Sequence, residues 1–218
     1  MKPYYNHNGI TIYHGDCRDI MLGSWMEDEN CVVVTDPPFG ISHESGWHSS
    51  WGGSQIAGDG STAARDCMLD LMAGRPAAVF GSWKAPRPAG TRAILIWDKG
   101  AASGMGDLSF PWKNSFEEIY ILGDGWKSDR RDEGVIRGYF CPFSEAQGRL
   151  HPNQKPVSLL SYLILRHPAP IVIDPFMGSG TSLRAAKDCG RTAIGIEIEE
   201  KYCEIAAKRL SQEVLCFE

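Results

Sequence analysis

The sequence predicts an α/β fold in which a mostly parallel sheet is flanked by helices. Short apolar runs of strand length alternate with stretches of helical periodicity, the order expected when crossover helices join parallel strands. Towards the C-terminal end, a strand, a glycine turn, a helix, a second strand and an acidic residue follow one another within 171–197. No internal repeat or low-complexity tract interrupts the alternation.

Taken in chain order, buried strands are expected at 31–34 (CVVV), 77–80 (AAVF), 93–97 (AILIW), 119–122 (IYIL), 171–173 (IVI) and 193–196 (AIGI). Helices are expected at 62–72, 156–165, 181–189 and 199–210. In the last of these, Tyr202, Ile205, Ala206 and Leu210 recur at spacings of three and four, which gives one apolar face. Two stretches read as loops: 40–60, rich in Gly, Ser, His and Trp, and 124–150, charged with scattered glycines. Loops this long inside a compact domain usually carry function, so both are expected to close over a substrate.

Composition narrows the class. At 218 residues, 43% hydrophobic and 22% charged, the chain suits one domain, 1–218, with a full core. No run of about 18 apolar residues exists, so no membrane span or membrane partner is expected. The first residues, MKPYYNHNGITIYHG, hold no apolar segment of signal-peptide type. Seven cysteines form no C-x-x-C pair, which reads as reduced thiols in a cytoplasm and as no metal site. The net charge of −5 opposes a nucleic-acid partner, yet it is unevenly spread. Residues 84–155 hold 11 basic and 9 acidic side chains, net +2, which leaves net −7 elsewhere. A weakly basic middle on an acidic scaffold permits one nucleic-acid-facing surface; a solvated mixed surface is the plainer reading.

The segment IVIDPFMGSGTSLRAAKDCGRTAIGIEIEEKY carries the most chemistry. Gly178 and Gly180 let the backbone turn tightly and approach a ligand closely. Glu197 ends the second strand 19 residues after Gly178, where a carboxylate can hold the two hydroxyls of a ribose. A dinucleotide turn would need a third glycine where Leu183 stands, and a phosphate loop would need Gly-Lys-Ser/Thr where Gly180-Thr181-Ser182 stands. With Asp174 and Phe176, the pattern points to an adenosine cofactor.

DPFMGSGT and IEIEEKY resemble the cofactor motif and the following acidic strand of the S-adenosylmethionine-dependent DNA amino-methyltransferases. The resemblance implies a doubly wound, mostly parallel sheet of the S-adenosylmethionine methyltransferase (Rossmann-like) type that ends in an antiparallel hairpin. It implies S-adenosylmethionine as cofactor, with Asp174, Phe176, Gly178, Gly180, Thr181 and Glu197 around it. YHGDCRDIM resembles a segment of the same family that meets the cofactor adenine, through Asp16 with Cys17 beside it; as residues alone, Asp16 reads as a cap.

Asp36-Pro37-Pro38-Phe39 follows a buried strand directly, and open parallel sheets bind ligands at the carboxyl ends of their strands. Two prolines fix φ and remove two N–H donors, leaving a rigid turn that displays acceptors. An exocyclic base amine is flat because its lone pair is delocalised. Acceptors on both its hydrogens, the Asp36 carboxylate and the Pro37 carbonyl, favour a pyramidal nitrogen aimed at a sulfonium methyl. Phe39 offers a face for a base flipped from the duplex. Alone, Asp-Pro is an ordinary turn starter; D-P-P-F resembles the amine-methylating motif of the same family, in which tyrosine is commoner at the fourth place.

The string 151–156 (HPNQKP) precedes an expected helix and resembles the H-P-x-Q-K-P motif of the β group of these enzymes. That likeness places Lys155 on the cofactor carboxylate and lets His151 orient a loop; a plain capped turn is the structural alternative. The motif order, with the catalytic turn first and the glycine motif last, also resembles the β group. The resemblance implies methylation of double-stranded DNA at adenine N6, since serine more often replaces the aspartate in cytosine-N4 enzymes. RNA or small-molecule amines and a silent DNA-binding decoy are the rivals. The chain is short for the group, so recognition falls to the loops 40–60 and 124–150 or to a second subunit in a homodimer. A cognate restriction endonuclease and an orphan role in a bacterial or phage-infected cytoplasm both stay open.

Overall fold

The computed structural model describes residues 2–20, 30–40, 60–100, 108–129, 131–139 and 154–212. In chain order the elements are β1 (Tyr5–His7), β2 (Ile10–His14), α1 (Cys17–Ile20), β3 (Cys31–Thr35), α2 (Ala63–Leu71), β4 (Ala77–Gly81), β5 (Thr91–Asp98) and β6 (Phe116–Leu122). They continue as β7 (Val135–Ile136), α3 (Val157–Leu165), β8 (Ile171–Asp174), α4 (Thr181–Asp188), β9 (Thr192–Glu197) and α5 (Glu200–Ser211). The strands form one sheet in the order β1-β2-β9-β8-β3-β4-β6-β5-β7. From β2 through β4 every pairing is parallel. β6 runs antiparallel to both β4 and β5, and β1 is antiparallel to β2.

The sheet is covered on both faces. All five residues of β3 and all five of β4 are buried, and successive side chains go to opposite sides. Val32 and Val34 join Leu159, Leu163, Leu183, Cys203 and Ala206 from α3, α4 and α5 on one face. Val33 joins Cys17, Ile20 and Met68 from α1 and α2 on the other. This is the doubly wound arrangement. Among the described residues no helix is long and apolar enough to cross a membrane.

Each of the six expected strands is present, extended by one to three residues. β1, β2 and β7 were not expected. β1 and β7 are edge strands of three and two residues, too short to show a period. β2 alternates between buried and part-exposed positions, whereas the strand reading relied on continuous apolar runs. The sheet has its switch point between β8 and β3: β3 is followed outward by β4, and β8 in the other direction by β9. The carboxyl ends of β3 and β8 therefore open on one crevice, the usual ligand position in such sheets.

Close packing reaches β9 at Gly195. A Cβ there would lie 2.5 Å from Met177 Sδ and 2.8 Å from Leu183 Cδ2, so the strand lies against the glycine turn without room for a methyl group. Gly195→Ala is expected to cost roughly 1–3 kcal/mol by overpacking, read as a lower urea midpoint at unchanged slope. A midpoint equal to that of the wild type would mean that the turn yields freely.

Candidate functional site

The first part of the site is held by a buried carboxylate. Asp174, 4% exposed, ends β8. Its Oδ1 accepts from Thr35 Oγ1 at 2.6 Å and from the Phe176 amide at 3.0 Å, and its Oδ2 accepts from the Ser182 hydroxyl. One side chain thus ties the end of β3, the turn after β8 and the first turn of α4. Burial pushes the Asp174 carboxyl up to about 6, against the pull of the Ser182, Thr35 and Phe176 donors.

The glycine turn then folds back towards β9. Gly178 (φ +51°) and Gly180 (φ +76°) both adopt the left-handed region, which favours glycine. A Cβ at Gly180 would meet Ala206 Cβ at 2.8 Å, so that position is closed by α5. A Cβ at Gly178 would meet nothing within 4 Å, so its backbone borders open space. Glu197 takes the Gly178 amide on Oε2 at 2.9 Å and the Glu199 amide on Oε1 at 2.8 Å. Each oxygen keeps lone-pair capacity for a further donor. Burial raises the Glu197 carboxyl, with the Glu199 and Gly178 amides opposing. Thr181 is buried and accepts from the Arg209 guanidinium at 3.1 Å.

Asp16 reaches the same edge, because β2 pairs with β9 up to His14 opposite Glu197. Its carboxylate is gripped by Arg18, through the backbone amide at 2.9 Å and through the guanidinium. The Arg18 hydrogen bond holds Asp16 below the usual carboxylate range. Cys17 is buried, and burial pushes its thiol up to about 11.

The second part of the site starts one residue after Thr35. Asp36 Oδ2 lies 2.7 Å from Lys155 Nζ, and Lys155 is 6% exposed. The same ammonium lies 3.1 Å from Glu117 Oε2, an ion-pair contact rather than an aligned hydrogen bond. Glu117 Oε1 in turn accepts from Lys99 Nζ at 3.0 Å. Four alternating charges therefore run from the turn through Lys155 and Glu117 to Lys99. Lys155 also sits 5.6 Å from the Phe39 ring centroid and 5.1 Å from that of Phe80. Burial drives Asp36 up, Lys155 opposes and Glu117 adds to the rise. Burial also works against ionised Glu117, but Lys155 and Lys99 outweigh it and hold that carboxyl low. For Lys155, burial opposes the charge while Asp36 and Glu117 more than restore it, so its pKa rises. Asp36 Oδ1 is a buried acceptor with no donor among the described residues.

Pro37 is buried, and Pro38 and Phe39 are half-buried beside it. Lys155, expected on the cofactor carboxylate, is instead held between two carboxylates of the protein. Asp174, expected around the cofactor, spends both oxygens on internal donors. His151 lies outside the described residues, as do 41–59, 130 and 140–150 of the two expected loops. Sequence reading passed over Thr35, Ser182, Lys99 and Glu117. Only Glu117 left a signal, as part of a charged pair opening an otherwise apolar strand, FEEIYIL.

Comparison with known proteins bears on this arrangement. A family model described as DNA methylase, of N6/N4 type, matches residues 109–208, from the approach to β6 into α5. M2.DpnII, a Type II methyltransferase of Streptococcus pneumoniae, is 48% identical over 258 aligned positions covering 97% of this chain and 93% of that one. M.HinfI of Haemophilus influenzae is 48% identical over 107 residues, which are 46% of this chain and 30% of that protein. Among solved structures, the M1.HpyAVI–SAM complex matches 93% of this chain and 100% of that chain, with a TM-score of 0.67 at 21% identity; at that identity the likeness is one of fold.

The raised carboxyl of Asp174 sets a sign. A group protonated more readily when folded contributes stability that is present below its unfolded pKa and lost as pH rises through the folded value. The unfolding free energy of the wild type minus that of Asp174→Asn should therefore fall by roughly 2–3 kcal/mol between about pH 4 and pH 7. Urea titrations across that range measure it. A flat difference, or one that rises with pH, would show that Asp174 is ionised as readily as a free carboxylate.

Proposed function

The chain belongs to the N6/N4 DNA methylase family, and from that premise we propose that it methylates the N6 amine of adenine in double-stranded DNA. It is an S-adenosylmethionine-dependent DNA amino-methyltransferase; the choice of adenine and the residue roles are our reading. The residues present suit the cofactor: Gly178 borders space that a side chain would fill, and Glu197 keeps acceptor capacity beside it. We assign the ribose hydroxyls to Glu197, the methionine part to the Phe176–Gly180 turn, and the adenine edge to the neighbourhood of Asp16 and Cys17. When bound, S-adenosylmethionine supplies an electrophilic methyl group on a sulfonium.

The observation that carries the reading is Asp36 Oδ1, a buried carboxylate oxygen without a donor of its own among the described residues. A neutral primary amine offers the hydrogen that such an atom lacks. Lys155 fixes the other oxygen, so Oδ1 is presented in one orientation. With the Pro37 carbonyl taking the second hydrogen, the amine nitrogen becomes pyramidal and its lone pair is freed for in-line attack. Bound S-adenosylmethionine would supply the methyl group and its thioether would be the leaving group, while Asp36 Oδ1 would take the proton that the methylated nitrogen sheds. Phe39 stacks the flipped base. Asp36 favours adenine because the cytosine-N4 relatives more often carry serine there. The reaction is placed in the cytoplasm, where DNA and reduced thiols coexist.

Asp36→Ala should lower single-turnover methyl transfer about 10²- to 10³-fold, the worth of one preorganised hydrogen bond of roughly 3–4 kcal/mol, and leave cofactor affinity intact. Retention of more than about a tenth of the rate, far above that range, would remove Asp36 from the chemistry. The acid limb of the wild-type profile should lie above the usual Asp range, because burial raises this carboxyl and only its ionised form accepts from the amine.

Gly178→Val should do the reverse and weaken cofactor binding in calorimetry while the protein stays folded; unchanged affinity would move the cofactor elsewhere. Long-read sequencing of plasmid DNA from expressing cells identifies the base. Adenine modified at N6 is expected, and N4-modified cytosine would overturn the choice.

A further inference from the structure

Half of the strongly exposed large apolar side chains among the described residues come from two short segments. Trp83 is 58% exposed, Phe110 58% and Trp112 73%. Solvent-facing aromatics gathered in one region mark an interaction surface more often than isolated ones do. Segment 82–90 follows β4, and segment 108–115 leads into β6. These strands are hydrogen-bonded neighbours, with Gly81 opposite Glu118. The two segments therefore leave adjoining strands at one edge of the sheet. It is also the edge of the catalytic turn: Thr35 pairs with Val79, and the Phe80 ring lies 5.1 Å from the Lys155 ammonium that holds Asp36.

The charge of this rim is one-sided. Segment 82–90 contains Lys84 and Arg87 and no acidic residue, and 108–115 contains Lys113 and no acidic residue. Lys84 lies 5.7 Å over the Trp83 ring, and the Phe110 and Trp112 rings meet edge-on at 5.5 Å. Arg87 reaches back to Glu118 at 3.3 Å while remaining 57% exposed. The charged loop 124–150 is different. It has five basic and five acidic residues. Where it is described, Asp124 pairs with Arg92 of β5, Arg137 is engaged by Glu133 and Asp98, and Asp132 by Arg166.

We propose that Trp83, Lys84, Phe110, Trp112 and Lys113 form the principal contact surface for the DNA duplex, with the aromatic rings packing on bases exposed beside the flipped nucleotide and the lysines on the flanking phosphates. The proposal rests on the reading of DNA as substrate and adds where the duplex sits. Aromatic faces accept any base, and cations beside them meet the backbone. A protein of net charge −5 then needs only a local basic rim to hold a polyanion.

The test uses the full chain and a fluorescein-labelled duplex of mixed sequence, after wild-type methylation of unmethylated plasmid DNA has been scored. Absence of that methylation would overturn the substrate reading and the rim with it; the variants test the rim alone. Trp83→Ala with Trp112→Ala should weaken duplex binding roughly tenfold or more, with cofactor affinity and the thermal midpoint unchanged. Trp83→Phe with Trp112→Phe should recover most of the loss, because the stacking face survives. Lys84→Glu, which leaves the rings in place, should also weaken binding and flatten its dependence on salt. Wild-type DNA affinity in the alanine pair and in Lys84→Glu would overturn the proposal. So would sedimentation showing that the alanine pair dissolves a dimer, since the rim would then be a contact between copies of the chain.

Discussion

The hydrogen bonds converging on Asp174 are the constraint from which the site follows. A buried carboxylate is costly unless donors surround it, and here they come from three parts of the chain: Thr35 at the end of β3, the Phe176 amide in the turn, and Ser182 in α4. The carboxyl ends of β3 and β8 are thereby held together across the switch point. The left-handed turn at Gly178 and Gly180 has one path left, between Glu197 and α5. The residual cost appears as a carboxyl raised to about 6.

Thr35 and Asp36 are consecutive, so that tie also positions the second half of the site. Asp36, Lys155, Glu117 and Lys99 alternate in sign. A buried ammonium alone would cost several kcal/mol, whereas between two carboxylates its charge is matched. The arrangement immobilises one oxygen of Asp36 and leaves the other without a donor among the described residues. A carboxylate so held accepts a hydrogen without first reorganising, which is what transition-state electrostatics demands of a preorganised acceptor.

The acidic balance of the chain and its membership of a DNA methylase family are compatible because charge acts locally. Screening limits each exposed charge to about 8–10 Å at ordinary salt, so acidic surface elsewhere does not cancel a basic rim. Within 124–139 Arg137 answers Glu133 and Asp98, and Asp132 is answered by Arg166 from outside that stretch.

By itself the sequence determined the α/β class, six strands, four helices and both motif turns, because continuous apolar runs, helical spacing and the Gly-x-Gly and Asp-Pro-Pro strings are local patterns. Gly178 and Glu197 were legible for the same reason: the spacing from a strand end to the next strand end is a property of the chain. What Lys155 touches was not legible, because Asp36 lies 119 positions away and Glu117 arrives from an antiparallel strand inserted between β4 and β5. Thr35 and Ser182 are polar residues with no motif of their own; only the approach of β3 to β8 turns them into donors for Asp174. Three-dimensional packing decided which carboxylate oxygens take hydrogens from the protein and left Asp36 Oδ1 without a donor among the described residues, since hydrogen-bond partners are assigned by proximity in space and not by order along the chain.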